Sequence, residues 1–133
     1  MTQEDKALLL KDLCGRLPYG VKVNGVFLNY NKDNGKILYE RCDKKFIYEH
    51  LDRYETLKPY LFPLSSMTDK QYDEFFNYYH NIEIEEIKAS GDYLKAAYLS
   101  DSAKYEWLNR NNFDWRYLID KGLAIDCTNL NIY

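Results

Sequence analysis

A chain of 133 residues and 15.9 kDa with a net charge of -3 is long enough to bury a core without disulfides or metal. Its 46% hydrophobic and 29% charged content excludes a disordered chain. Cys14, Cys42 and Cys127 are odd in number, widely spaced and free of any Cys-x-x-Cys pair, which excludes a disulfide framework and predicts reduced thiols in a cytoplasm.

The early apolar run at 7–10 is bounded by Lys6, Lys11 and Asp12, too short for a signal h-region or a membrane span, so no membrane association is expected. Thr2 is placed to cap a first helix, with Glu4 and Asp5 in its first turn where acidic groups meet the positive end of the macrodipole. Leu10, Leu13, Cys14 and Leu17 repeat at helical spacing and predict its buried face, with Cys14 a small hydrophobe there; Gly15 is expected to end the helix and Pro18 to prevent its continuation. Alternation over 19–23 and the type I' dipeptide Asn24-Gly25 predict a hairpin whose return strand is 26–30. A polar loop at 31–35 and further strands at 37–42 and 46–48 complete a four-stranded antiparallel meander, either an open sheet or a small, partly open barrel. The pattern over 49–57 fits an irregular segment or a single helical turn.

Pro59 and Pro63 mark a hinge at 58–68 between a strand-rich and a helix-rich half. Thr68 and Gln71 then form a capping box, and Met67 and Tyr72 a hydrophobic staple, so a helix starts at Asp69. Its stripe is aromatic throughout: Tyr72, Phe75, Phe76 and Tyr79, closing at His80-Asn81. Residues 82–85 alternate as a short strand, the preferred reading, although Ile84 and Ile87 also fit a helix. A helix is expected from Ser100 or Asp101 through Asn109, with the preceding 93–99 open to a helical turn of its own, and a short last helix at 115–121 capped by Asp114 and ended by Gly122. An extended run at 123–126 can add an edge strand. The fold expected is one α+β domain over 1–133, with aromatic-faced helices packed on one side of the meander.

Three stretches carry a resemblance: Arg16-Leu17-Pro18-Tyr19-Gly20-Val21-Lys22, then 58–68, then Trp107-Leu108-Asn109 through Phe113-Asp114-Trp115-Arg116 to Asp126. In their order and spacing the chain resembles a family of small uncharacterised proteins carried by phages and mobile elements of anaerobic gut bacteria. The resemblance implies a cytoplasmic, accessory setting and no catalytic site. The chain departs from the family's pattern in two places: Asn111 and Asn112 stand where a pair of histidines is usual, and Tyr117 where a glycine is common.

The residues themselves support no catalytic or metal chemistry. His50 and His80 lack zinc-binding spacing, and Cys42, His50 and Asp52 have no orienting motif around them. Ser65-Ser66 lacks a nucleophile elbow, no glycine-rich loop opens a helix, and Glu83, Glu85 and Glu86 read as a solvated face. No enzyme, no cofactor and no metal are therefore expected. Fourteen tyrosines, six phenylalanines and two tryptophans are the compositional outlier, and such rings either line a core boundary or form a binding face. Asp114-Trp115-Arg116 with Tyr117 is the best candidate surface, because arginine beside tryptophan is a recurrent interface anchor; an internal ion pair of Arg116 is the competing account. The function expected is a non-catalytic protein-binding accessory module with Trp115, Arg116 and Tyr117 at its contact. The alternative is a nucleic-acid-binding protein using the mildly basic region 16–48, with Lys22, Arg41, Lys44 and Lys45 on phosphates and tyrosines stacking on bases.

Overall fold

The computed structural model describes residues 2–24, 39–42, 45 and 57–133, with residues 39–41 described for the backbone alone. The Asn24-Gly25 turn, the strands at 26–30 and 46–48, the loop at 31–35 and most of the 49–57 stretch lie outside the described residues.

Helix α1 (Gln3–Arg16) begins with a capping box: the Asp5 amide donates to Thr2 Oγ1 at 3.0 Å and the Thr2 amide to Asp5 Oδ2 at 3.4 Å. Its buried face is Leu9, Asp12, Leu13 and Arg16, rotated by about one residue from the expected stripe, so Leu10 and Cys14 are exposed. The cause is a pair of polar residues that occupy core positions. Gly15 does not end the helix. It lies inside it, where a Cβ would come within 3.1 Å of Asn109 Nδ2, so the missing side chain lets a later helix approach. The chain leaves α1 through a 3-10 turn at Leu17–Tyr19.

Strand β1 (Lys22–Asn24) pairs antiparallel with β2 (Tyr39–Arg41), Val23 standing opposite Glu40. The larger sheet is elsewhere. Strand β3 (Tyr60–Pro63) is flanked by β4 (Phe113–Asp114) and β5 (Ile125–Asp126), both parallel to it, in the order β4-β3-β5. The fold is therefore α+β, but among the described residues its larger sheet is three-stranded and all-parallel, which overturns the four-stranded antiparallel meander. The physical reason lies in the proline-flanked stretch. Residues 60–63 are an unbroken apolar run, the signature of a short strand buried in a parallel sheet, and the two prolines sit where only their carbonyls or their edges are needed. Pro59 O accepts from the Ile125 amide at 2.8 Å, Leu61 O from the Cys127 amide at 3.0 Å, and the Phe62 amide donates to Asn112 O at 2.8 Å. The stretch expected as a hinge thus supplies the central strand.

Helix α2 (Asp69–Ser90) starts with the expected capping box of Thr68 and Gln71. It runs ten residues past the expected end at His80-Asn81 and absorbs the 82–85 segment, whose four-residue alternation is too short to outweigh the helical register of Phe75, Tyr79, Ile82 and Glu86. Gly91, at φ 66°, reverses the chain. Helix α3 (Tyr93–Arg110) follows at once, capped by Asp92, whose carboxylate accepts from the Lys95 amide at 3.0 Å; it begins seven residues before Ser100. The expected helix at 115–121 is a series of turns, and Asp114 serves them: its carboxylate accepts from the Leu118 and Ile119 amides at 2.8 and 2.9 Å.

The main core lies between α1 and the strands and contains Leu9, Leu13, Val21, Val23, Leu57, Leu61, Leu118 and Leu123. Each such side chain stabilises the fold by about 1.5–3 kcal/mol relative to exposure. A second, aromatic cluster joins the base of the α2–α3 hairpin to the sheet. There Trp107 stacks on Phe113 at 5.8 Å and meets Phe75 at 5.2 Å, and Phe62 meets Phe113 at 5.9 Å.

Candidate functional site

The α2–α3 hairpin is unusual in how little it buries. No residue of α2 is fully buried although Phe75, Phe76, Tyr78, Tyr79, Ile82, Ile84 and Ile87 lie along it. Helix α3 explains why. On a helix of 3.6 residues per turn, positions 96, 100, 103 and 107 share one side and 94, 98, 101 and 105 the opposite side, both with the 4-3-4 spacing of a heptad seam. The first seam is filled. Ala96, Ser100, Ala103 and Trp107 are buried and face α2, and Lys104 sits 4.7 Å over the Tyr79 ring while Lys95 pairs with Glu86 at 3.1 Å across the same contact.

Among the described residues the second seam is covered only at its far end. Leu108 and Asn109 are buried where α1 lies against α3, at the Gly15 contact. Nearer the hairpin tip the same side presents Leu94, 86% exposed, Tyr98, 71% exposed, and Tyr105, 48% exposed. Tyr93 beside them is also exposed.

Of the candidate residues expected from the sequence, Trp115 meets this seam at its base. Trp115 packs against Tyr105 with ring centroids 4.4 Å apart, and its indole donates to Asn109 Oδ1 at 2.8 Å. Arg116 lies over the Trp115 ring at 3.9 Å and donates from Nη1 to Asp12 Oδ1 at 2.9 Å, with only 13% of its side chain exposed. Its charge is thus committed within the chain. Asp12 is fully buried and also receives Arg16, through Nε at 2.8 Å and Nη2 at 3.1 Å, while Arg16 Nη2 donates to Phe113 O at 2.6 Å. One carboxylate therefore holds two guanidiniums, and with them the 113–116 segment, against α1. Arg16 Nη1 and Asn112 Oδ1 are buried without a hydrogen-bond partner. The i, i+4 spacing of Asp12 and Arg16 is the sequence signal for this buried pair, and hydropathy hides it. Tyr117 is exposed and holds φ 59°, a left-handed conformation that a bulky residue adopts only under strain.

The other expected residues are not brought together. Lys22 donates from Nζ to Ile132 O at 2.6 Å and lies over the Tyr133 ring, so its ammonium is engaged by the end of the chain. The same tyrosine accepts from the Lys22 amide and donates to Tyr60 O, both at 2.8 Å, and burial raises its pKa. Arg41 contributes backbone to β2, Lys44 lies outside the described residues, and Lys45 is exposed. Arg16, counted in the basic region, is internal. Cys42 is buried, and His50 and Asp52 lie outside the described residues. His80 stacks on Phe76 at 5.0 Å. Burial, with Asp126 adding to it, pushes the Cys127 thiol up to about 12, so it stays protonated and unreactive at neutral pH. Among the described residues no helix is long and apolar enough to cross a membrane.

Comparison of the chain with protein-family models, with curated proteins and with solved structures found no match.

Proposed function

We propose that the chain is a non-catalytic protein-binding module whose contact surface is the outer seam of α3, Leu94, Tyr98 and Tyr105, continued at its base by Trp115 and Tyr117. The observation that carries this reading is the second heptad seam on α3, apolar at three of its four positions and exposed toward the hairpin tip. A seam of that spacing on a helix that already has one neighbour is the form in which a helix receives another. The strained backbone at Tyr117 adds support, because a residue kept in a costly conformation with its ring in solvent gains nothing there from packing. Arg116 contributes by positioning Trp115 and not by offering a free charge. The accessory, mobile-element setting rests on the resemblance of the three sequence stretches, and a cytoplasmic setting on the three separate thiols.

The test is a photo-crosslinker placed in living cells at position 98, with the same group at the exposed Asn81 of α2 as control. Protein adducts at 98 and not at 81 are expected. Absence of adducts at 98, in a chain shown to fold, refutes the reading.

A further inference from the structure

The outer seam of α3 is complementary to itself. Its four positions are Leu94, Tyr98, Asp101 and Tyr105, and the pairs 94 with 105 and 98 with 101 are both centred on the point between Leu99 and Ser100. A second α3 laid antiparallel across that point sets Leu94 of each copy against Tyr105 of the other. It also sets the Tyr98 hydroxyl of each against the other's Asp101 carboxylate. Asp101 is otherwise the misfit of the seam, an exposed acid paired with the neighbouring Lys104 Nζ at 3.3 Å. A polar residue at one seam position is how helices select a register, provided the partner helix satisfies it, and a tyrosine hydroxyl does so.

We infer that the occupant of the seam is a second copy of this chain, forming a two-fold dimer through antiparallel α3 helices in the register 94–105 and 98–101. This rests on the protein-binding reading and names its partner. The area agrees with it. At about 200 Å² for an aromatic side chain, the exposed fractions of Leu94, Tyr98 and Tyr105 leave roughly 400 Å² of mostly apolar surface per copy. A stable interface needs about 800 Å² per partner, of which about 450 Å² is non-polar. Ala97 and Ser102, both exposed, and the half-buried Trp115 flank the three and add to that surface. The geometry is also closed: a two-fold axis uses the same seam on both copies, so the contact ends at two.

The register is tested by cysteine pairing in a Cys14→Ser background, because Cys14 is exposed. Leu94→Cys and Tyr105→Cys chains, mixed and oxidised, should give a covalent dimer between the two variants. Neither variant alone should do so. In the antiparallel register two copies of position 94 are about 16 Å apart along the helix, far beyond the roughly 7 Å limit for bridging Cα atoms. Sedimentation equilibrium on the unmodified chain should show a dimer. Tyr98→Phe should weaken it by about tenfold or more, since two hydrogen bonds to carboxylates are lost by symmetry, and Tyr98→Glu should abolish it with helix content unchanged. Pairing of Leu94→Cys with itself overturns the antiparallel register. A chain that stays monomeric at the highest concentrations reached, yet gives photo-adducts to another protein at position 98, overturns self-association and leaves the protein-binding reading standing. A monomer with no adducts sinks both.

Discussion

Replacing Asp12 by alanine should be among the most damaging single changes in the chain. The carboxylate is fully buried, and three of its hydrogen bonds come from two guanidiniums, one of them also fully buried. Once it is gone, Arg16 keeps a single bond, from Nη2 to Phe113 O, and its Nη1 has no partner even in the intact protein. Removing one member of a buried ion pair costs about 3–5 kcal/mol, because the other charge stays desolvated. That is a large part of a typical native margin of about 5–15 kcal/mol. Arg116→Ala should cost less, about 2–3 kcal/mol: one charge-assisted hydrogen bond of about 1.5–3 kcal/mol and the contact with Trp115, with Asp12 still held by Arg16. The combined Asp12→Leu, Arg16→Met, Arg116→Met variant should recover most of the loss, because apolar groups of similar volume carry no desolvated charge. Urea titrations monitored by tryptophan fluorescence give all three values, provided the slope is unchanged. An Asp12→Ala cost below about 1 kcal/mol would refute the reasoning, since the cluster would then have to be hydrated.

Phe75→Ala should cost about 3–4 kcal/mol, because its ring packs on Trp107 at the hairpin base, whereas Phe76→Ala should cost about 1 kcal/mol, its ring being 39% exposed against His80; equal losses in a denaturant titration would mean that α2 is rotated. Tyr117→Gly should raise stability by about 0.5–1 kcal/mol, relief of left-handed strain outweighing the added entropy of the unfolded chain, and a lowered thermal midpoint would contradict it. Lys95, and then Ser90, hold the Glu86 carboxyl below the usual carboxylate range. Its folded pKa lies below its unfolded one, so its contribution is present above about pH 4 and fades as acid protonates it. The thermal midpoints of Glu86→Gln and the unmodified chain should therefore converge in acid, and a gap that widens there would reverse the sign.

Features written in neighbouring residues are legible in the sequence itself. Thr2 and Thr68 each announce a helix because a cap needs only a hydroxyl and an acid or amide three residues on. What escapes such a reading depends on partners far away in the chain. The buried face of α1 is displaced from the expected stripe because Asp12 and Arg16 count as solvent residues until Arg116 is seen to donate to Asp12, and Phe113 O to accept from Arg16. Strand β3 is hidden for a related reason. A four-residue run between prolines gives no alternation to read, and its neighbours lie about fifty and sixty-five residues later. Trp115 stands out in the sequence as an aromatic of interest, but its packing on Tyr105 is a tertiary contact, and the seam that this contact leads to needs α3 to begin at Tyr93. The strand expected at 82–85 conceals the full length of the hairpin, and with it the seam itself.

The central strand also sets a schedule. During synthesis Tyr60-Leu61-Phe62 leaves the ribosome long before either strand that will flank it, so an apolar segment with unsatisfied backbone groups must wait in the nascent chain for Phe113 and then Ile125. Such a segment is a template for adding strands of other molecules. Pro59 and Pro63 stand at its two ends, where neither can donate to an intruding strand, and they limit how far an incorrect ladder can grow. The two prolines that make this stretch look like a break thus act as gatekeepers, guarding against aggregation while the nascent strand waits for its partners.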